Sequence, residues 1–333
     1  MIPLDEIEKA RETIAGAAVR TPLIRLEAPE SEPEIYLKLE NLQPIGSFKI
    51  RGATNAIRQA PREQVEAGVV TASAGNMAQG VAWAAREAGV TCTVIVPEHA
   101  PQTKLEAIER LGGAIVKVAY ERWWQALTES RFEGVEGLFI HPVENELVMA
   151  GNGTIGLELL EDLPDPDLVL IPFGGGGLTV GIASAVKALR PETRVYPVEP
   201  ETAAPLAASL AAGSPQEVEY RPSFVDGAGA RTVLGKMWPL VREAADGSFI
   251  ASLEETSAAV RLLAERARVV AEGAGALGVA AALSGRAGPG KLVCIVSGGN
   301  IDSAVLAGIL TNGTACGTVE GNVSDSRGNQ TAS

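Results

Sequence analysis

The chain has 333 residues, enough for two domains, with 46% hydrophobic and 21% charged residues, proportions that exclude disordered, collagenous and coiled-coil classes. Its 28 Lys and Arg against 41 Asp and Glu give a net charge of −13 with no basic block, which argues against a nucleic-acid partner. Apolar stretches such as residues 177–186, ended by Lys187, fall well short of the roughly 20 residues of a bilayer span. Asp5, Glu6 and Glu8 stand where a secretory signal would carry positive charge, so a cytoplasmic protein without a membrane partner is expected. Cys92, Cys294 and Cys316 have no metal-ligand spacing and read as reduced thiols, two buried and one loose. The two histidines, His99 and His141, sit beside prolines and far from any nucleophile motif.

In chain order the hydrophobic periodicity predicts a helix over 5–15, a strand over 34–38, a helix over 48–59, a strand over 68–71 and a helix over 77–88. A strand over 91–96, a helix over 102–111, a strand over 114–118, a helix over 121–130 and a strand over 138–141 follow. Next come a helix over 151–160, strands over 168–172 and 194–198 separated by a helix over 179–189, helices over 253–267 and 275–283, and a strand over 292–296. This alternation implies an α/β protein with parallel sheets covered by helices, and two such sheets meeting at a cleft fit the length. Residues 317–333 are polar and rich in Gly, Ser and Asn, the composition of a disordered tail.

Ligands of open α/β sheets bind where strands end in Gly-rich turns that start helices, and four such turns stand out. The first, Gln43-Pro44-Ile45-Gly46-Ser47-Phe48-Lys49, offers Ser47 as an N-cap and puts Lys49 in the first helical turn. A cation there opposes the helix dipole, so the lysine should have a lowered pKa suited to imine formation; an ordinary surface lysine is the alternative. The second, Ser73-Ala74-Gly75-Asn76-Met77, brings small residues and backbone N–H donors to a helix start, fit for a carboxylate or phosphate or simply for close packing. The third has four consecutive glycines, Gly174 to Gly177, after an apolar run; a backbone that wraps phosphate oxygens justifies their entropic cost. No Lys precedes Thr179 as a nucleoside-triphosphate loop requires, and Glu199 alone is a weak match to a dinucleotide fingerprint. The fourth, Ser297-Gly298-Gly299-Asn300-Ile301-Asp302, presents the neutral hydroxyl of Ser297 at a strand end, or is a plain turn.

In this order, over residues 3–310, the four turns resemble the threonine/serine dehydratase and serine racemase family of pyridoxal-phosphate enzymes, of the tryptophan-synthase-β fold type, fold type II. The resemblance implies a large cofactor-binding domain of residues 1–47 and 146–316, a small substrate-binding domain of residues 48–145, and pyridoxal 5'-phosphate in the cleft between them. It implies that Lys49 is the catalytic residue and holds the cofactor as an imine beside Phe48. Asn76 would bond the ring hydroxyl, Gly174, Gly175, Gly176, Gly177 and Leu178 the phosphate, and Ser297 would face the pyridine nitrogen with Glu272 nearby. Ser73, Ala74, Gly75, Asn76 and Met77 would hold the substrate carboxylate. A homodimer or higher homo-oligomer is expected.

The implied reaction is α,β-elimination from a 3-hydroxy amino acid, L-threonine or L-serine first, to a 2-oxo acid and ammonia. Four positions depart from the family pattern. Ala74 replaces the second serine of the racemases, which disfavours racemisation. Met77 replaces a common His and Asn152 a usual Gln, which opens 3-hydroxyaspartate and phenylserine as substrates. Pro205 replaces a carboxylate of the divalent-metal site that would include Glu199 and the Ala203 carbonyl, leaving Glu201 or Asp226 as substitutes. The same turns would also suit a β-replacement enzyme of this fold or a non-enzymatic phosphate-binding protein.

Overall fold

The structure is a computed structural model and describes residues 1–27 and 33–312. Strands lie at β1 (Leu23–Arg25), β2 (Pro33–Lys38), β3 (Val69–Ala72), β4 (Cys92–Pro97), β5 (Gly113–Val118), β6 (Leu138–Phe139), β7 (Leu168–Pro172), β8 (Arg194–Pro200), β9 (Phe249–Ala251) and β10 (Gly290–Ile295). They form a six-stranded sheet, ordered β1-β2-β10-β7-β8-β9, and a four-stranded sheet, ordered β5-β4-β3-β6. All neighbours run parallel except β1, which pairs antiparallel with β2 as an edge strand too short for the periodicity to reveal.

The strands of the larger sheet are apolar on both faces because helices cover both. On β7, Val169 and Ile171 join the core beneath the helices Glu146–Asp162 and Gly177–Leu189, while Leu168 and Leu170 face the core beneath Leu253–Leu262 and Gly273–Leu283. The smaller sheet repeats this: Val94 and Val96 of β4 pack under the helices Asn76–Ala88 and Gln102–Arg110, and Ile95 under Tyr120–Glu129. Where the periodicity predicts a helix over 151–160, the helix begins at Glu146, because the Asn145 side chain caps it by accepting the Val148 N–H at 3.0 Å. The segment predicted as one helix over 253–267 widens into a π turn at Leu263–Ala267. The short helices Pro205–Ala212, Met237–Ala244 and Ser303–Asn312 and strand β9 went unpredicted.

The helix Lys49–Gln59 is the joint between the two sheets. A Cβ on Gly80 would lie 3.0 Å from the Lys49 carbonyl oxygen and one on Gly151 2.6 Å from that of Arg51, so the two flanking helices approach its backbone closely only because these residues are glycines. Its far face is anchored by charge. Arg51, fully buried, donates to both oxygens of Glu40 at 2.8 and 2.9 Å and to both oxygens of Glu158 at 2.7 and 2.9 Å. Lys38 completes the set through Glu158 at 2.7 Å and the Thr21 carbonyl at 2.6 Å. Two cations against two carboxylates leave no net charge in the interior, the condition under which burying such groups is tolerable.

Among the described residues no helix is long and apolar enough to cross a membrane. Cys92 and Cys294 are buried free thiols, and burial pushes Cys92 up to about 12, so it stays protonated and unreactive. Cys316 and the tail expected over 317–333 lie outside the described residues.

Candidate active site

The four turns converge between the sheets. Phe48 N–H donates to the Ser297 carbonyl at 3.0 Å, and Ser47 bridges Gly298, so the start of the Lys49 helix is stitched to the turn after β10. The expected N-cap role of Ser47 is corrected here: Phe48 is the cap residue without a side-chain cap bond, and the buried Ser47 hydroxyl has no partner among the described residues. Lys49 Nζ donates to the Pro142 carbonyl at 3.3 Å and lies 4.9 Å from the centre of the Phe48 ring. Its pKa is lowered to about 8, as the sequence suggested, but chiefly because burial penalises the ammonium, with Glu272 opposing.

At the second turn, Ser73, Ala74, Gly75 and Asn76 are half-buried at the end of β3. The Asn76 amide is fixed at both ends: Nδ2 donates to Glu272 at 2.8 Å and Oδ1 accepts from Asn300 Nδ2 at 2.8 Å. Burial, reinforced by Asp226, pushes Glu272 up to about 7. Met77 is only 2% exposed, and its side chain packs into the core of the smaller sheet. Asn152, also buried, donates to the Gly177 carbonyl at 3.4 Å at the junction of three helices.

The glycine turn leaves β7 with Gly174 and Gly175 half-buried and Gly176 and Gly177 buried. Gly176 has φ +95, the left-handed region, immediately before the helix that Gly177 opens. Gly175 is required by its neighbour, since a Cβ there would overlap Val143 Cγ2. Ser297 is buried at the end of β10, and Glu272 N–H donates to the Gly298 carbonyl at 3.0 Å, bringing that carboxylate beside the fourth turn. Across the cleft mouth Lys104 pairs with Asp226 at 2.5 Å.

The carboxylates named for a divalent-metal set have other partners here. Glu199 instead accepts the Leu206 and Ala207 N–H groups at 2.8 Å each, at the start of the helix that Pro205 opens, Glu201 accepts from Leu253 N–H at 2.8 Å, and Asp226 is taken by Lys104. Among the described residues no three His, Cys, Asp or Glu side chains group as metal ligands.

Residues 14–298 match the family described as "Pyridoxal-phosphate dependent enzyme". The chain belongs to this pyridoxal-phosphate dependent family. It is 41% identical over 319 residues to the L-threonine ammonia-lyase of Thermotoga maritima, a match covering 94% of this chain and 79% of that protein. Among solved structures it is similar to maize serine racemase, with a TM-score of 0.84 and 34% identity covering 92% of this chain and 96% of that one. It is also similar to the threonine deaminase of T.th., with a TM-score of 0.80 and 37% identity covering 90% and 99%. The two solved structures share the fold described above.

The residues present fit the family's cofactor. The buried hydroxyl of Thr179, in the first turn of the helix that follows the glycines, has no partner among the described residues, and that helix start supplies free N–H donors and the positive end of a dipole. An aldehyde requires an amine, and Lys49 is buried with its basicity lowered. Sequence reading missed three participants. Asn300 stood inside the fourth turn as a legible signal, but its bond to Asn76 spans 224 residues of chain. Pro142 and His141 carried only the signal of a histidine next to a proline; the Pro142 contact with Lys49, and the His141 side chain that accepts from the two residues after Pro142, exist solely through the fold.

Proposed function

We propose that the protein is an ammonia-lyase that converts a 3-hydroxy amino acid, L-threonine or L-serine, to a 2-oxo acid and ammonia by α,β-elimination. The observation that carries this reading is the convergence on one cleft of a buried lysine with pKa about 8, a glycine turn at a helix start and the fixed Asn76–Glu272 pair. The names of the relatives, L-threonine ammonia-lyase and threonine deaminase, support the substrate class.

Bound, the cofactor supplies an electron sink for the carbanion left at the substrate α-carbon. The chain's own residues do the rest. Lys49 would hold the aldehyde, and as a free amine its depressed pKa leaves much of it neutral near pH 8 and able to take the α-proton. The backbone of Gly174, Gly175, Gly176, Gly177 and Leu178, with Thr179, would hold the phosphate. Asn76, locked by Glu272 and Asn300, offers a preset hydrogen-bonding group to the ring, and Ser297 offers a neutral hydroxyl where a carboxylate would fix a proton. Ser73, Ala74, Gly75 and the first N–H groups of the helix Asn76–Ala88 receive the substrate carboxylate, Met77 through its backbone alone.

Ala74 has no proton to deliver to the face opposite Lys49, which favours elimination over racemisation although a serine racemase is among the similar structures. The reading also takes residues 1–47 and 146–316 as the large domain and 48–145 as the small one, a cytoplasmic location and a homo-oligomer. A panel of 3-hydroxy amino acids with 2-oxo acid detection tests the proposal. Threonine or serine should be turned over with ammonia release, and conversion of only 3-hydroxyaspartate, phenylserine or a β-replacement substrate would overturn it.

A further inference from the structure

His141 is buried beside the site, and no step of the elimination uses it. Its Nδ1 accepts two backbone N–H groups of the turn that follows, from Val143 at 3.0 Å and Glu144 at 2.7 Å. Accepting both requires an unprotonated Nδ1, so the ring proton resides on Nε2. That turn is what the reactive groups rest on. Pro142 presents its carbonyl to Lys49 Nζ, the Val143 side chain lies against Gly175, and the Val143 carbonyl sits 3.2 Å from where a Cβ of Gly177 would be.

We propose that His141 is a positioning residue that, through its unprotonated Nδ1, sets the 142–144 turn and thereby the places of Lys49 and the glycine turn. Protonating the ring removes the lone pair and releases both amides at once. Glu144 and the Leu127 carbonyl favour the added proton, whereas burial, Lys236 and Lys49 oppose it, and burial dominates to hold the pKa below the ordinary histidine value. Lys236 itself pairs with Glu144 at 3.4 Å, which blunts the attraction of that carboxylate. Because the folded-state pKa is depressed, the unfolded chain takes the proton first as pH falls through about 6.5, and the turn's contribution to stability is lost on that acid side.

The inference rests on the reading that Lys49 carries the cofactor. The test compares holoenzyme with His141→Asn and His141→Ala. An Asn Oδ1 accepts N–H groups two and three residues onward but does not titrate; Ala leaves both amides unpaired. His141→Asn should keep kcat within about threefold at pH 8 and lose less thermal midpoint than the parent between pH 7 and 5. His141→Ala should lower kcat by about tenfold or more with KM changed less, and should shift the pH at which the imine absorbance near about 410 nm titrates. A His141→Ala protein with parental kcat and parental absorbance titration overturns the proposal. So does a His141→Asn protein that loses midpoint in acid as the parent does, a comparison that decides the matter even where the alanine variant fails to fold. Borohydride reduction and peptide mapping of the parent separates the two ideas: label on another lysine defeats the Lys49 reading and the inference with it, while label on Lys49 with insensitive His141 variants defeats the inference alone.

Discussion

Two glycines of the same turn should respond oppositely to alanine. At Gly176 a Cβ would sit 2.6 Å from Val241 Cγ2, on a backbone with φ +95. The left-handed conformation costs an L-residue about 1–2 kcal/mol and the overpacking about 1–3 kcal/mol more, about 2–5 kcal/mol together. An unfolding entropy of about 2.1 cal/mol/K per residue over the 333-residue chain turns this into a midpoint loss of about 3–7 °C. At Gly174 the added Cβ would meet only the Gly227 carbonyl at 3.6 Å and Ala228 Cα at 3.7 Å, ordinary contacts on an unstrained backbone. Gly174→Ala should therefore move the midpoint of the cofactor-free protein by about 1 °C or less. Gly174 is also half-buried, and if the turn holds the phosphate as proposed, an added methyl would crowd it. Cofactor affinity, measured by absorbance titration of the cofactor-free protein, should fall about tenfold or more, equivalent to about 1.4 kcal/mol. A Gly174→Ala protein that binds the cofactor as tightly as the parent would refute the assignment of the phosphate to this turn.

Lys49→Ala should abolish both 2-oxo acid formation and the imine absorbance while the thermal midpoint of the cofactor-free protein stays equal or rises, since a buried amine is removed; residual turnover would show another base at work. Glu272, raised from 4.5 to about 7 by burial, costs the folded state increasing stability as pH rises from about 4.5 through 7. The unfolding free energy of Glu272→Gln minus that of the parent, from urea titrations, should therefore grow between pH 5 and 8 by about 2–3 kcal/mol; a constant difference would mean that the carboxyl is not held against its charge. With L-serine as substrate, pyruvate should far exceed D-serine because Ala74 supplies no second base, and comparable yields would point to a different proton donor on that face.

The α/β class and the order of elements were legible because strands buried on both faces, such as β7 and β10, read as unbroken apolar runs, and amphipathic helices between them leave a different period. The four turns were legible for the same reason in reverse: four glycines in succession, or Ser-Gly-Gly-Asn after a buried strand, cost stability and stand out wherever they occur. Short edge elements escaped. The three residues of β1 and of β9 hold too few side chains to show an alternation, and β1 takes its antiparallel direction from its pairing with β2.

The sequence by itself determined which residue types are available at the ends of the strands: one lysine at a helix start, glycines before another helix, an asparagine and a serine at two more turns. Only the tertiary structure decided what they do to one another. It placed Ser47 against Gly298 instead of at a helix cap, sent Met77 into the core of the smaller sheet, and committed Glu199 to two backbone N–H groups. It also lowered the basicity of Lys49 chiefly by burying it, a cause that its place at a helix start does not reveal. The physical reason is common to all four. Desolvation and hydrogen-bond partnership depend on atoms brought together from distant parts of the chain, and no local pattern of residues records that closeness.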